Sequence, residues 1–181
     1  MLTNQDRTKV EVENDNPMKR PVAFWALLCL LVFQGMSALP PGVMLVLDPT
    51  GGLMKVPLSM LHGSPFHDFL IPGLILCVVL GLGALLVAAG LFFLPALLWA
   101  ERLNPFKGMH WSWMAAVSFG LALMIWITVQ VAMIGGGSWL QPLYFGVGLG
   151  VLVLSLAPSV RSHLVAPSQR PPNPTDPGSV R

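Results

Sequence analysis

The sequence predicts an all-α, polytopic membrane protein: four transmembrane helices in an up-down bundle, with both termini on the inner side. Three observations carry that expectation. Hydrophobic residues make up 54% of the 181-residue chain and charged residues 10%, against roughly 25% charged in ordinary globular domains. The charges are segregated, which leaves uncharged runs of the ~20 residues that cross a hydrocarbon core. Nine of the ten Lys and Arg lie in the N-terminal tail, the second connection and the C-terminal tail, and only Lys55 lies elsewhere. By the positive-inside bias those three segments are cytoplasmic.

Residues 1–20 mix Asp, Glu, Lys, Arg, Asn and Gln without apolar periodicity and read as a solvated, disordered tail. The first span is expected over about 21–39, with Trp25 near its basic end as an interfacial ring. A cleaved signal peptide competes here, because small residues up to Ala38 precede Leu39-Pro40-Pro41. The acidic leader and the later spans favour a retained anchor.

Residues 40–65 form the outer loop. Two apolar strings, 43–47 and 53–56, flank the turn sequence 48–52, which suggests a small hairpin on the membrane surface. Pro57 to Leu61 offers one short interfacial turn that Gly63 can end. A helix start is expected at Ser64 as N-cap and Pro65 as first helical residue.

The next apolar run, 66–100, is too long for one straight span, so about 68–94 should cross, bent near Pro72 and Pro95, with 95–103 along the inner interface. Gly73, Cys77 and Gly81, then Ala84 and Ala88, recur every four residues as a small-residue stripe for helix packing, internal or homodimeric. The third span is expected over 111–134, opened by Trp111 and Trp113 and followed by Gly135, Gly136 and Gly137. The fourth covers about 139–157, with Ser138 and Gln141 as a capping box, Trp139 and Tyr144 as a belt, and Gly146, Gly148 and Gly150 for packing. Residues 159–181 read as a Pro-rich, disordered cytoplasmic tail.

Several chemistries find no residues here. No span interior holds Asp, Glu, Lys, Arg or His, which disfavours proton-coupled export and a bis-histidine haem. Cys29 and Cys77 are isolated and suggest neither a disulfide, a zinc site nor quinone-linked thiol chemistry. Ser37 and Ser118 have no evident catalytic partner. No cofactor, metal or nucleic-acid partner is expected.

What remains is a candidate outer-rim polar site of His62, His67, Asp68, Gln130 and Gln141, with Asp48 and Tyr144 as neighbours. Imidazole and carboxylate are competent cation ligands, but this spacing matches no metal motif. Asp68 also suits the first turn of a helix.

The segments Leu47-Asp-Pro-Thr-Gly-Gly52, Gly63-Ser-Pro-Phe-His-Asp-Phe-Leu-Ile-Pro-Gly-Leu74 and Leu140-Gln-Pro-Leu-Tyr-Phe145 resemble a set of small uncharacterised four-helix bacterial membrane proteins. The resemblance covers about residues 20–157. It implies a four-span fold and a bacterial plasma-membrane location, and it carries no activity. The expected role is a non-enzymatic accessory or interaction subunit in the lipid bilayer, contacting another membrane protein or a second copy. The alternative is a carrier or channel for a small or lipophilic molecule, entered from the outer side near Asp68 and Gln130. An outer-rim enzyme ranks third.

Overall fold

A computed structural model describes residues 20–93, 109–134 and 138–164. Among these the chain is helical, with no strand. The elements are α1 (Val22–Leu47), a 3-10 turn (Leu58–Leu61), α2 (Leu70–Phe93), α3 (Trp111–Ile134), α4 (Leu140–Leu156) and a short α5 (Pro158–His163). Three of them, α1, α2 and α3, are long and apolar enough to cross a membrane. At 17 residues α4 is shorter, though equally free of charge.

Helix α1 runs two turns beyond the expected end at 39, straight through Pro40 and Pro41. Apolar surroundings penalise an unravelled backbone more than two missing donors, so a membrane helix tolerates proline that a soluble one would not. The expected hairpin is absent for the same reason: its first string, 43–47, is the last part of α1. The turn at 48–52 does form. The Asp48 carboxylate accepts hydrogen bonds from the Thr50 hydroxyl, the Thr50 amide (3.1 Å) and the Leu53 amide (2.9 Å). Gly51 there has φ +81°, a left-handed conformation that favours glycine.

The second helix starts at Leu70, not at Ser64 and Pro65. Ser64 instead makes a local turn, its hydroxyl accepting from the Phe66 amide at 3.2 Å, while Asp68 Oδ1 accepts from the Leu70 amide at 3.0 Å. Near Pro72, where the sequence predicts a bend, the helix continues and is π-helical over Ile75–Leu82. A proline one turn earlier removes a donor from the ladder, and a slip to i→i+5 bonding re-pairs the carbonyls without opening the helix. Pro95 and the interfacial stretch 95–103 lie outside the described residues, as do Gly135–Gly137 and the tails 1–19 and 165–181.

Close-packed small residues align the helices antiparallel. A Cβ on Gly73 would meet Leu45, one on Gly42 would meet Cys77, and one on Gly81 would meet Leu39, so residue numbers fall along α1 as they rise along α2. The Gly73, Cys77 and Gly81 stripe is therefore taken up by the chain's own α1. Ala84 and Ala88 continue it as buried residues. Helices α3 and α4 approach at Gly120 and Gly148, where each added Cβ would lie 3.0–3.2 Å from the other glycine's carbonyl. Gly150 receives Leu30 of α1, but Gly146 faces open space, contrary to its expected packing role.

The core gathers Phe24, Leu27 and Leu31 of α1 with Leu80 and Leu91 of α2, Phe119 and Leu123 of α3 and Val151 of α4. The stretch 159–164, expected in the disordered tail, contributes to it as well. Val160 and Leu164 are buried there, and Leu164 accepts from the His110 amide at 2.9 Å. The outward faces carry exposed Val78, Leu86, Ile125 and Val153. Such a surface suits a hydrocarbon surround.

Candidate functional site

The helices do not meet along their whole length. At the end where Asp48 closes α1, they diverge around a cavity of about 620 Å³. Volumes of ~300–1,000 Å³ are typical of small-molecule sites. All four long helices and the loop contribute wall: Ser37 and Pro41 from α1, Leu76 from α2, Trp126 from α3, Tyr144 from α4, and Met54 and Met60 from the loop. A second small cluster, Leu45, Leu61 and Phe69, ties the loop over this mouth. Methionine is an adaptable lining, because its unbranched thioether fits irregular contours.

Gln34 sits at the deep end. It is the thirteenth of the 26 residues of α1, roughly 20 Å from the Leu47 end at ~1.5 Å per residue. Its side chain is 1% exposed, it lines the cavity, and its Oε1 has no hydrogen-bond partner among the described residues. An unmade hydrogen bond at a buried polar atom costs about 1–3 kcal/mol. Nothing in the packing of α1 recovers that cost, since Ser37 Oγ donates to the Gln34 backbone carbonyl (3.1 Å) and not to its side chain.

The expected outer-rim constellation is divided. Gln130 and Gln141 line the cavity near its mouth, both half-buried, with Ser138 and Tyr144 beside them. His62, His67 and Asp68 are exposed and form no part of its wall. Asp68 serves the start of α2, and Asp48 serves its own turn, whose Thr50 hydroxyl and Leu53 amide hold its carboxyl below the ordinary carboxylate value. No three His, Cys, Asp or Glu gather into a metal-binding group among the described residues.

Gln34, a neutral residue inside the expected first span, is not among the residues the sequence singled out. The signal was there: a carboxamide in the middle of an uncharged span is costly and marks a functional position by default. Thr128 shows the contrasting case, for its hydroxyl simply bonds the Met124 carbonyl one turn back at 2.8 Å.

At the opposite end, His110 Nδ1 lies 2.7 Å from Ser112 Oγ and accepts from the Ser112 amide at 3.3 Å. Geometry of this kind can activate a serine. Here the imidazole caps the first turn of α3, and Ser112 is fully buried, so no substrate carbonyl can reach it.

No protein-family model, curated protein or solved structure matches the chain. The cavity is therefore read from its own chemistry. Its wall is apolar with four amide or hydroxyl groups near the mouth and Gln34 and Ser37 at depth, and among the described residues it contains none that is charged at neutral pH.

Proposed function

We propose that the chain is a four-span bacterial plasma-membrane protein, both termini cytoplasmic, that holds a small neutral lipophilic molecule in its outer-half cavity without transforming it. The observation that carries this is the meeting of an apolar cavity with Gln34, whose Oε1 is buried and has no hydrogen-bond partner among the described residues. The wall offers no charge for an ionic ligand and no activated nucleophile for catalysis. The basic residues of the tails and second connection support the orientation, which turns the loop-capped mouth outward. Entry then passes Gln130 and Gln141, while His67 and Asp68 are exposed and outside the wall.

The carrier role is favoured over the accessory-subunit role by the same packing. The small-residue stripe that suited a partner helix is filled by α1, whereas none of the described residues fills the cavity. Partners other than the lipid bilayer, including a second copy, would use the remaining apolar faces.

The test places the full-length protein in lipid nanodiscs and titrates ω-bromododecanol, whose bromine quenches nearby indoles. Trp126 lines the cavity, so a saturable quenching component that disappears in Trp126→Phe is expected. Quenching that only rises linearly with partitioning, as for lipid-facing Trp25 and Trp139, would sink the proposal.

A further inference from the structure

We infer that the ligand of this cavity is an uncharged lipophilic alcohol that enters hydroxyl-first and donates its hydroxyl proton to Oε1 of Gln34. The inference rests on the cavity's being a ligand site and adds the chemistry that the site selects.

The polar group at depth decides it. Gln34 Oε1 is an acceptor, buried and unpaired, so the molecule that fits best brings a donor to mid-membrane. A cationic donor such as an ammonium is disfavoured. Among the described residues no lining side chain carries a counter-charge, and a desolvated unpaired charge costs far more than one hydrogen bond returns. An ether, ester or ketone oxygen brings no donor and leaves Oε1 as it was. A hydroxyl both donates to the carbonyl oxygen and accepts from the amide N–H of the same side chain, matching a carboxamide's two faces.

Shape supports an elongated molecule. The cavity follows α3 from Leu123 to Ile134, roughly 17 Å at ~1.5 Å per residue. Apolar side chains, Leu76, Leu80 and Ile127 among them, line the stretch between Gln34 and the mouth. The hydrocarbon part would lie there, and Gln130 and Gln141 would meet whatever polar group ends the chain.

The experiment compares ω-bromododecanol with its methyl ether, which has the same chain and bromine but no donor, in wild-type protein and in Gln34→Leu and Gln34→Met. In wild type the alcohol should bind about tenfold more tightly than the ether, the worth of one buried hydrogen bond. Both variants should lose that preference while still binding both probes, because the apolar wall is unchanged. Equal affinities for alcohol and ether in wild type would overturn the inference and leave the cavity as a ligand site. Saturable binding of neither probe would overturn the proposed function and the inference with it. The wild-type comparison needs no substitution, so a variant that fails to fold cannot mask the answer.

Discussion

A Cβ placed on Gly42 would lie 2.6 Å from the backbone nitrogen of Cys77. Backbone cannot yield as a side chain can, so this contact fixes the spacing between α1 and the π-helical part of α2, and with it one wall of the cavity. Gly42→Ala should destabilise the protein by about 1–3 kcal/mol through overpacking. Gly146→Ala, where the new methyl meets nothing within 4 Å, should be neutral or slightly stabilising, since alanine is the better helix former. Thermal unfolding of the two variants in the same detergent separates them; equal loss in both would contradict the packing.

Asp48 predicts a pH dependence of the loop. Hydrogen bonds from Thr50 and Leu53 lower its carboxyl pKa below 3.8. A depressed carboxylate contributes stability that is fully present above the unfolded value and is lost as pH falls through the folded one. The turn should therefore hold unchanged at neutral pH and loosen only below pH 3.8. Amide chemical shifts of Thr50 and Leu53 followed against pH should give a midpoint under that value, and Asp48→Asn should remove the transition. A midpoint above it would contradict the assignment.

Trp113 and Trp139 look alike in sequence, as belt residues at the start of a span, yet they differ in the fold. Trp113 is buried and its Nε1–H donates to the Ser155 carbonyl at 2.8 Å, with Arg161 over its ring at 5.6 Å. Trp113→Phe should cost about 1–3 kcal/mol by stranding that carbonyl. Trp139 is exposed, so Trp139→Phe should change stability by less than about 0.5 kcal/mol. Chemical denaturation of both variants checks the difference.

Orientation has its own test. In a Cys29→Ala, Cys77→Ala background, Ser59→Cys in the loop should react with a membrane-impermeant maleimide added to intact spheroplasts. Ser162→Cys, beyond α4, should react only after lysis. The reverse pattern would place the cavity mouth in the cytoplasm, and labelling of both in intact cells would contradict four spans.

The long apolar runs fixed the helices well: the third span coincides with α3, and the second lies within two residues of α2 at either end. Uncharged length is a direct consequence of bilayer thickness, so it is readable from residues alone. What misled was local punctuation. Pro40-Pro41 reads as a helix end by rules calibrated in water, and the fold overrides it where apolar surroundings favour a continuous helix; Ser64-Pro65 reads as a helix start, but Ser64 closes a local turn and the helix begins only at Leu70. Val160 and Leu164 were hidden by a polar, Pro-rich tail whose first turn nonetheless folds back onto the core.

The site was legible in part. Gln130 and Gln141 stood out as polar residues near the expected outer end and do line one cavity. His62, His67 and Asp68 drew attention by their ionisable groups, but a boundary residue can face water, and these do. Gln34 carries a sequence signal as a carboxamide inside an uncharged span, but that its Oε1 finds no partner among the described residues depends on tertiary packing.

The most direct measurement is native mass spectrometry of the full-length protein released from its own membrane in mild detergent, beside Ser37→Phe, which puts a ring into the cavity. Wild type should carry a reproducible small-molecule adduct of neutral lipophilic character, and Ser37→Phe should arrive without it at equal yield. A wild-type chain that is bare, or the same adduct on both proteins, would contradict a ligand held in the outer-half cavity.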